Sequence, residues 1–139
     1  MEHNHNEPSN NMIREAMLTI GNLIADALQE HRLFNNVAID VQQLPFHDGF
    51  CVEMHFLDRK SLFGEEHRTI LRTFFTGRFK DEIRPTLCKK LQWDDFRPRT
   101  VTQSGDEPIC RWEIRRRGQC AATEARKPVP CVPRVAVAV

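Results

Sequence analysis

Three reactive side chains alternate along one short stretch: Cys51, Glu53 and His55, with Val52 and Met54 between them. A period of two places them on one face of a strand, with Phe50, Val52, Met54 and Phe56 on the other. Same-face neighbours on a strand lie about 6.6–7 Å apart, so Glu53 and His55 can share a proton or a water. By the same rise Cys51 and His55 are about 13 Å apart, too far to share one metal ion. Cys51 has no orienting third group beside His55 or His47, so no thiolate dyad is expected. The plainer reading is a row of polar residues on a solvated sheet face.

A second constellation joins Asp40 to Glu53-Met54-His55 on the neighbouring predicted strand. It resembles the acidic pair of the PD-(D/E)xK nuclease family, which gathers an aspartate and a glutamate around a divalent cation. The resemblance implies a metal-dependent nuclease, with His55 standing where that family places lysine. His67-Arg68-Thr69-Ile70-Leu71, followed by Phe74 to Phe79, faintly resembles part of the BTB interaction domain. The spacing is shorter and the flanking strands differ, so nothing is carried over from it.

The third constellation is basic. Arg68, Arg72, Arg78, Lys80, Arg84, Lys89 and Lys90 lie in the helical middle, and Arg97, Arg99, Arg111, Arg115, Arg116 and Arg117 follow. A basic helix beside an arginine-bearing sheet face can track a phosphate backbone. Trp93 and Trp112 would stack on bases only if exposed. Trp112 alternates with Cys110 and Ile114 and is expected in the core. The chain has six glycines, and neither a GxSxG elbow nor a glycine-rich phosphate loop occurs. No cofactor is expected.

The elements that must position these groups follow from periodicity. Met12 to His31 is the strongest helix, with Ile13, Met17, Ile20, Ile24, Ala27 and Leu28 on one stripe and Asn10 or Asn11 as cap. Val37 to Gln43 alternates, and Leu44-Pro45 ends it. With a turn at His47-Asp48-Gly49 this makes a first hairpin, Val37 to Leu57. From Glu65 to about Leu91 the pattern is helical again. Gly77 and Pro85 predict either two short helices or one kinked helix. Trp93 to Pro98 reads as a loop. Arg99 to Gln103 and Ile109 to Arg116 read as a second hairpin across Ser104-Gly105-Asp106.

The expected fold class is α+β: helix, hairpin, helix, hairpin, with a four-stranded antiparallel sheet and both helices on its apolar face. Residues 1–11 read as a disordered leader, 12–117 as one domain, and 118–139 as a disordered Pro/Val/Ala tail whose apolar end can add to a sheet edge. The 139 residues suit a single core, and a net charge of +1 points to no charged partner. Five widely spaced cysteines fit reduced thiols in a cytoplasmic setting. No apolar run reaches membrane-spanning length. The sequence thus predicts a small, non-catalytic protein-interaction or assembly module that binds another protein or itself as a homodimer. Nucleic-acid binding through the basic second half and a metal-dependent nuclease are the alternatives.

Overall fold

In a computed structural model, residues 9–101, 105–117 and 134–139 are described. They form an α+β fold with one five-stranded antiparallel sheet of β1 (Val37–Gln43), β2 (Gly49–Phe56), β3 (Asp95–Thr100), β4 (Ile109–Arg117) and β5 (Arg134–Ala138), in the order β3-β4-β2-β1-β5.

Helix α1 spans Asn10–Leu28. Ser9, rather than Asn10 or Asn11, caps it: its Oγ accepts from the Met12 amide at 3.1 Å. The apolar stripe from Ile13 to Leu28 is buried as its spacing requires. A short 3-10 turn at Arg32–Phe34 buries Phe34 and leads into β1, Val37–Gln43.

Strand β2, Gly49–Phe56, pairs with β1 from Val37↔Phe56 to Gln43↔Phe50. The connection is not the predicted Asp-Gly turn. Pro45–His47 forms a 3-10 turn in which Phe46 and His47 carry the positive φ values, 62° and 56°. Gly49 serves a different need. A Cβ at its position would lie 2.1 Å from the Ile114 carbonyl oxygen, and its φ of +149° is one that L side chains rarely adopt. The backbone of β4 approaches there, which only glycine permits.

The second helical region breaks at both predicted places. Helix α2 covers Glu65–Thr76, and α3 covers Arg78–Arg84 after Gly77 leaves helical geometry. Pro85 then opens a π-helical turn, Pro85–Lys90, because its nitrogen has no proton to donate to the preceding turn. The start of α2 is fastened by His67. The Gly64 amide donates to its Nδ1 at 3.0 Å, so Nε2 carries the proton and donates to the Leu33 carbonyl at 3.2 Å.

Strand β3 is Asp95–Thr100 and β4 is Ile109–Arg117, in register from Asp95↔Arg117 to Thr100↔Trp112. The predicted loop from Trp93 to Pro98 is therefore corrected: from Asp95 onward it is strand. Proline is tolerated because β3 is an edge. The Val101 amide donates to the Arg111 carbonyl at 2.9 Å. That bond sets the ladder phase and turns the nitrogen of Pro98 outward, where no proton is needed.

The four-strand expectation is also corrected. Arg134–Ala138 forms β5, antiparallel to β1 from Ala38↔Ala138 to Gln42↔Arg134. Its alternating valines complete the layer beneath α1, where Val137 Cγ2 lies 3.3 Å from the position of a Cβ on Gly21. Helix α1 itself begins within the predicted leader. The rest of that leader, residues 1–8, and residues 118–133 of the predicted tail lie outside the described residues.

The helices cover the face made by Val37, Ile39, Val41, Phe50, Val52, Met54, Phe56, Cys110, Trp112 and Ile114, all buried. Aromatic rings fill the layer between. Phe75 stacks on Trp112 at 4.5 Å between centroids, Phe50 on Trp93 at 5.6 Å and Phe56 on Phe63 at 4.6 Å.

Candidate interaction surface

The sheet face that no helix among the described residues covers carries the residues on which the chemical readings depend. Cys51, Glu53 and His55 lie there, half-buried, with Asp40 directly opposite Glu53. The structure thus brings the predicted acidic pair together. Like charges facing each other across strands repel. Here each acid is met from its outer side by an arginine. Arg111, opposite Glu53 on β4, donates to Glu53 Oε2 through Nε at 2.9 Å and Nη2 at 2.6 Å. Arg134 on β5 donates to Asp40 Oδ2 at 3.1 Å. The pattern across the sheet is plus, minus, minus, plus. The hydrogen bond to Glu53 holds Arg111 protonated above the ordinary guanidinium range. Among the described residues, no group of three or more His, Cys, Asp and Glu could hold a metal ion.

His55 faces Ala38 and Ile109, which offer it no polar side chain. The Cys51 thiol is pushed up to about 11, chiefly by burial and then by the Glu53 carboxylate, against the weaker pull of Arg111. Such a thiol stays protonated near neutrality and is a poor nucleophile.

The basic residues are divided between the two sides of the sheet. Arg97, Arg99, Arg111 and Arg115 lie on the open sheet face, whereas Arg68, Arg72, Arg78, Lys80, Arg84, Lys89 and Lys90 lie on the helical elements that cover the other face. Most are already engaged. Arg68 bridges the Phe63 and Gly105 carbonyls and pairs with Glu65. Arg78 pairs with Glu30 and Glu82, Arg84 with Asp95, Lys90 with Glu15, and Arg115 with Asp48 and Glu113. Lys80 and Arg84 sit over the Phe96 ring at 5.9 and 5.8 Å. Arg116, counted with the exposed bases from the sequence, turns to the covered face, and its Nε is buried without a hydrogen-bond partner. Trp93 and Trp112 are both buried, so neither offers a ring for stacking on bases.

Two features remain: a groove with no counterpart in the sequence pattern, and the strand that the tail's apolar end adds to the sheet edge, as expected. One is an apolar groove of about 450 Å³ between the end of α1 and α2, lined by Leu28, His31, Ile70, Phe74 and Arg78 among others. The other is the outer edge of β5, which pairs with no other strand among the described residues. The Val139 amide donates to the Val37 carbonyl at 2.8 Å. That bond fixes the ladder phase: Val135, Val137 and Val139 turn their backbone groups to β1, while Arg134, Ala136 and Ala138 turn theirs outward.

The two edges of the sheet are built differently. At the β3 edge, Pro98 removes a donor, and the exposed Arg97 and Arg99 flank it. These are the devices that keep edge strands from pairing. The β5 segment, Arg-Val-Ala-Val-Ala, has no proline and no lysine, and its one charge is neutralised by Asp40.

Comparison with family models, curated proteins and solved structures gives no match for this chain. No helix among the described residues is long and apolar enough to cross a membrane.

Proposed function

We propose that this chain is a non-catalytic protein-interaction module whose docking element is the outer edge of β5. The observation that carries this reading is the contrast between the two edges. One is blunted by Pro98 and two arginines. The other offers the outward backbone groups of Arg134, Ala136 and Ala138 beside small side chains. An extended segment can add there as a further strand. Main-chain hydrogen bonds would supply affinity, and side-chain contacts on alternate positions would supply selectivity.

The chemistry on the open face supports a binding role over catalysis. Asp40 and Glu53 are tied to arginines, and the Cys51 thiol stays protonated. A nuclease would need those carboxylates free for a cation. A nucleic-acid surface would need the bases on one face, whereas they are divided between two.

The test is an NMR titration of the full chain with a hexapeptide of the β5 sequence, Arg-Val-Ala-Val-Ala-Val. Shift changes confined to residues 134–138 and the adjoining flank of α1 are expected in the wild type. None are expected in Ala136→Pro, which removes an outward N–H and no hydrogen bond of the ladder to β1. Equal changes in both proteins, or none in either at a concentration where the wild type is monomeric, would refute the reading.

A further inference from the structure

We infer that the segment added to β5 is β5 of a second copy of this chain, giving a two-fold homodimer with a continuous sheet. This rests on the reading of the β5 edge as the docking element.

The strand is self-complementary in antiparallel register. With Ala136 opposite the partner's Ala136, Arg134 lies opposite the partner's Ala138, and all three outward residues of each strand fall into hydrogen-bonded pairs. Val135 then faces the partner's Val137 on the covered side, which extends the apolar layer across the junction. On the open side the opposed residues are alanines, apart from Arg134, which Asp40 already neutralises at 3.1 Å. Neither bulk nor like charge opposes closure.

A five-residue strand pair is small for a stable dimer. Helix α1 supplies the second layer. Leu18, Gly21 and Ala25 fall on one line of that helix, at steps of three and four. Gly21 rests on Val137 of β5 and on Val41. The line therefore runs along the β5 side of the helix. Leu18 is 40% exposed, although it is a large apolar side chain in the middle of the longest helix. Two-fold pairing of β5 brings this flank toward its copy, and the small residues beside Leu18 allow the helices a close approach. The same operation gives Leu18 an apolar neighbour.

Sedimentation equilibrium across a wide concentration range tests this. The wild type should rise from the 16.2 kDa monomer toward twice that mass. Ala136→Pro and Leu18→Arg should each weaken association by about tenfold or more while leaving the circular dichroism and melting temperature of the dilute protein unchanged. Leu18→Arg guards against the case in which proline displaces β5. A wild type that stays at 16.2 kDa throughout overturns the inference, as does a dimer indifferent to both variants. The peptide titration separates the two levels. A monomer that still binds the hexapeptide at β5 refutes only the homodimer; a monomer that binds none refutes the docking element as well.

Discussion

Asp40 and Glu53 face each other across β1 and β2, and each is held from its far side by an arginine of the next strand, Arg134 or Arg111. Two acids in that position can gather a cation or can be neutralised within the protein. The arginines make the second arrangement. The same pairing links the face to the edge, because Arg134 belongs to β5. The ion pair helps to fix the last strand on the sheet.

Glu53→Gln should therefore cost no more than about 1 kcal/mol, since the Glu53–Arg111 pair is partly solvated and its loss also relieves repulsion from Asp40. Urea denaturation of the two proteins measures this. A loss of several kcal/mol would mean that the carboxylate has a buried role that its neighbours do not reveal.

Val52→Asp should leave the chain unfolded at room temperature. Val52 is fully buried opposite Trp112, where a carboxylate finds no partner. The expected cost is about 4 kcal/mol or more, a large part of the stability of a domain this size. Far-ultraviolet circular dichroism would show a native spectrum only if the sheet faces were assigned the wrong way round.

Gly49→Ala should destabilise by about 2 kcal/mol or more, because the new Cβ collides with the Ile114 carbonyl and the φ value disfavours any L residue. Thermal melts should show a clear fall. At Gly105, also at positive φ but with open space around it, the same substitution should cost only the backbone strain.

The Cys51 thiol should react slowly with iodoacetamide at neutral pH, and its rate should climb toward a midpoint near 11. Folding holds this thiol protonated above its ordinary 9.0. Its contribution to stability is therefore complete below about pH 9 and is lost as the pH rises from 9 to 11. Glu53→Gln removes a negative neighbour and should lower the midpoint. An alkylation profile centred at or below 9 would contradict the burial of this group.

Much of this architecture was legible in the residues. The alternation from Phe50 to Phe56 and the stripe from Ile13 to Leu28 each named a buried face, because one period admits one geometry. Gly77 and Pro85 marked the breaks in the second helical region through the cost of those residues in a helix. Asp95–Thr100 was misread because proline argues against a strand unless the strand is an edge, and edge status is a tertiary property. The Asp48-Gly49 turn was misread because glycine serves equally for a positive φ and for close backbone approach. The candidate site was less legible. That Asp40 and Glu53 are neighbours followed from pairing β1 with β2. That arginines hold them depends on β4 and β5, which no local pattern ties to those strands. The β5 edge could be named only as a segment able to pair, since its partner strand and ladder phase arise from the assembled sheet.

Residue-resolved amide hydrogen exchange tests the β5 edge most directly. In dilute protein, the Val135 and Val137 amides should be protected by β1, while those of Arg134, Ala136 and Ala138 exchange freely. On raising the protein concentration or adding the β5 peptide, the Arg134, Ala136 and Ala138 amides should become protected as well. Ala136 and Ala138 amides that stay unprotected under both conditions would contradict the account, as would uniformly fast exchange across residues 134–138.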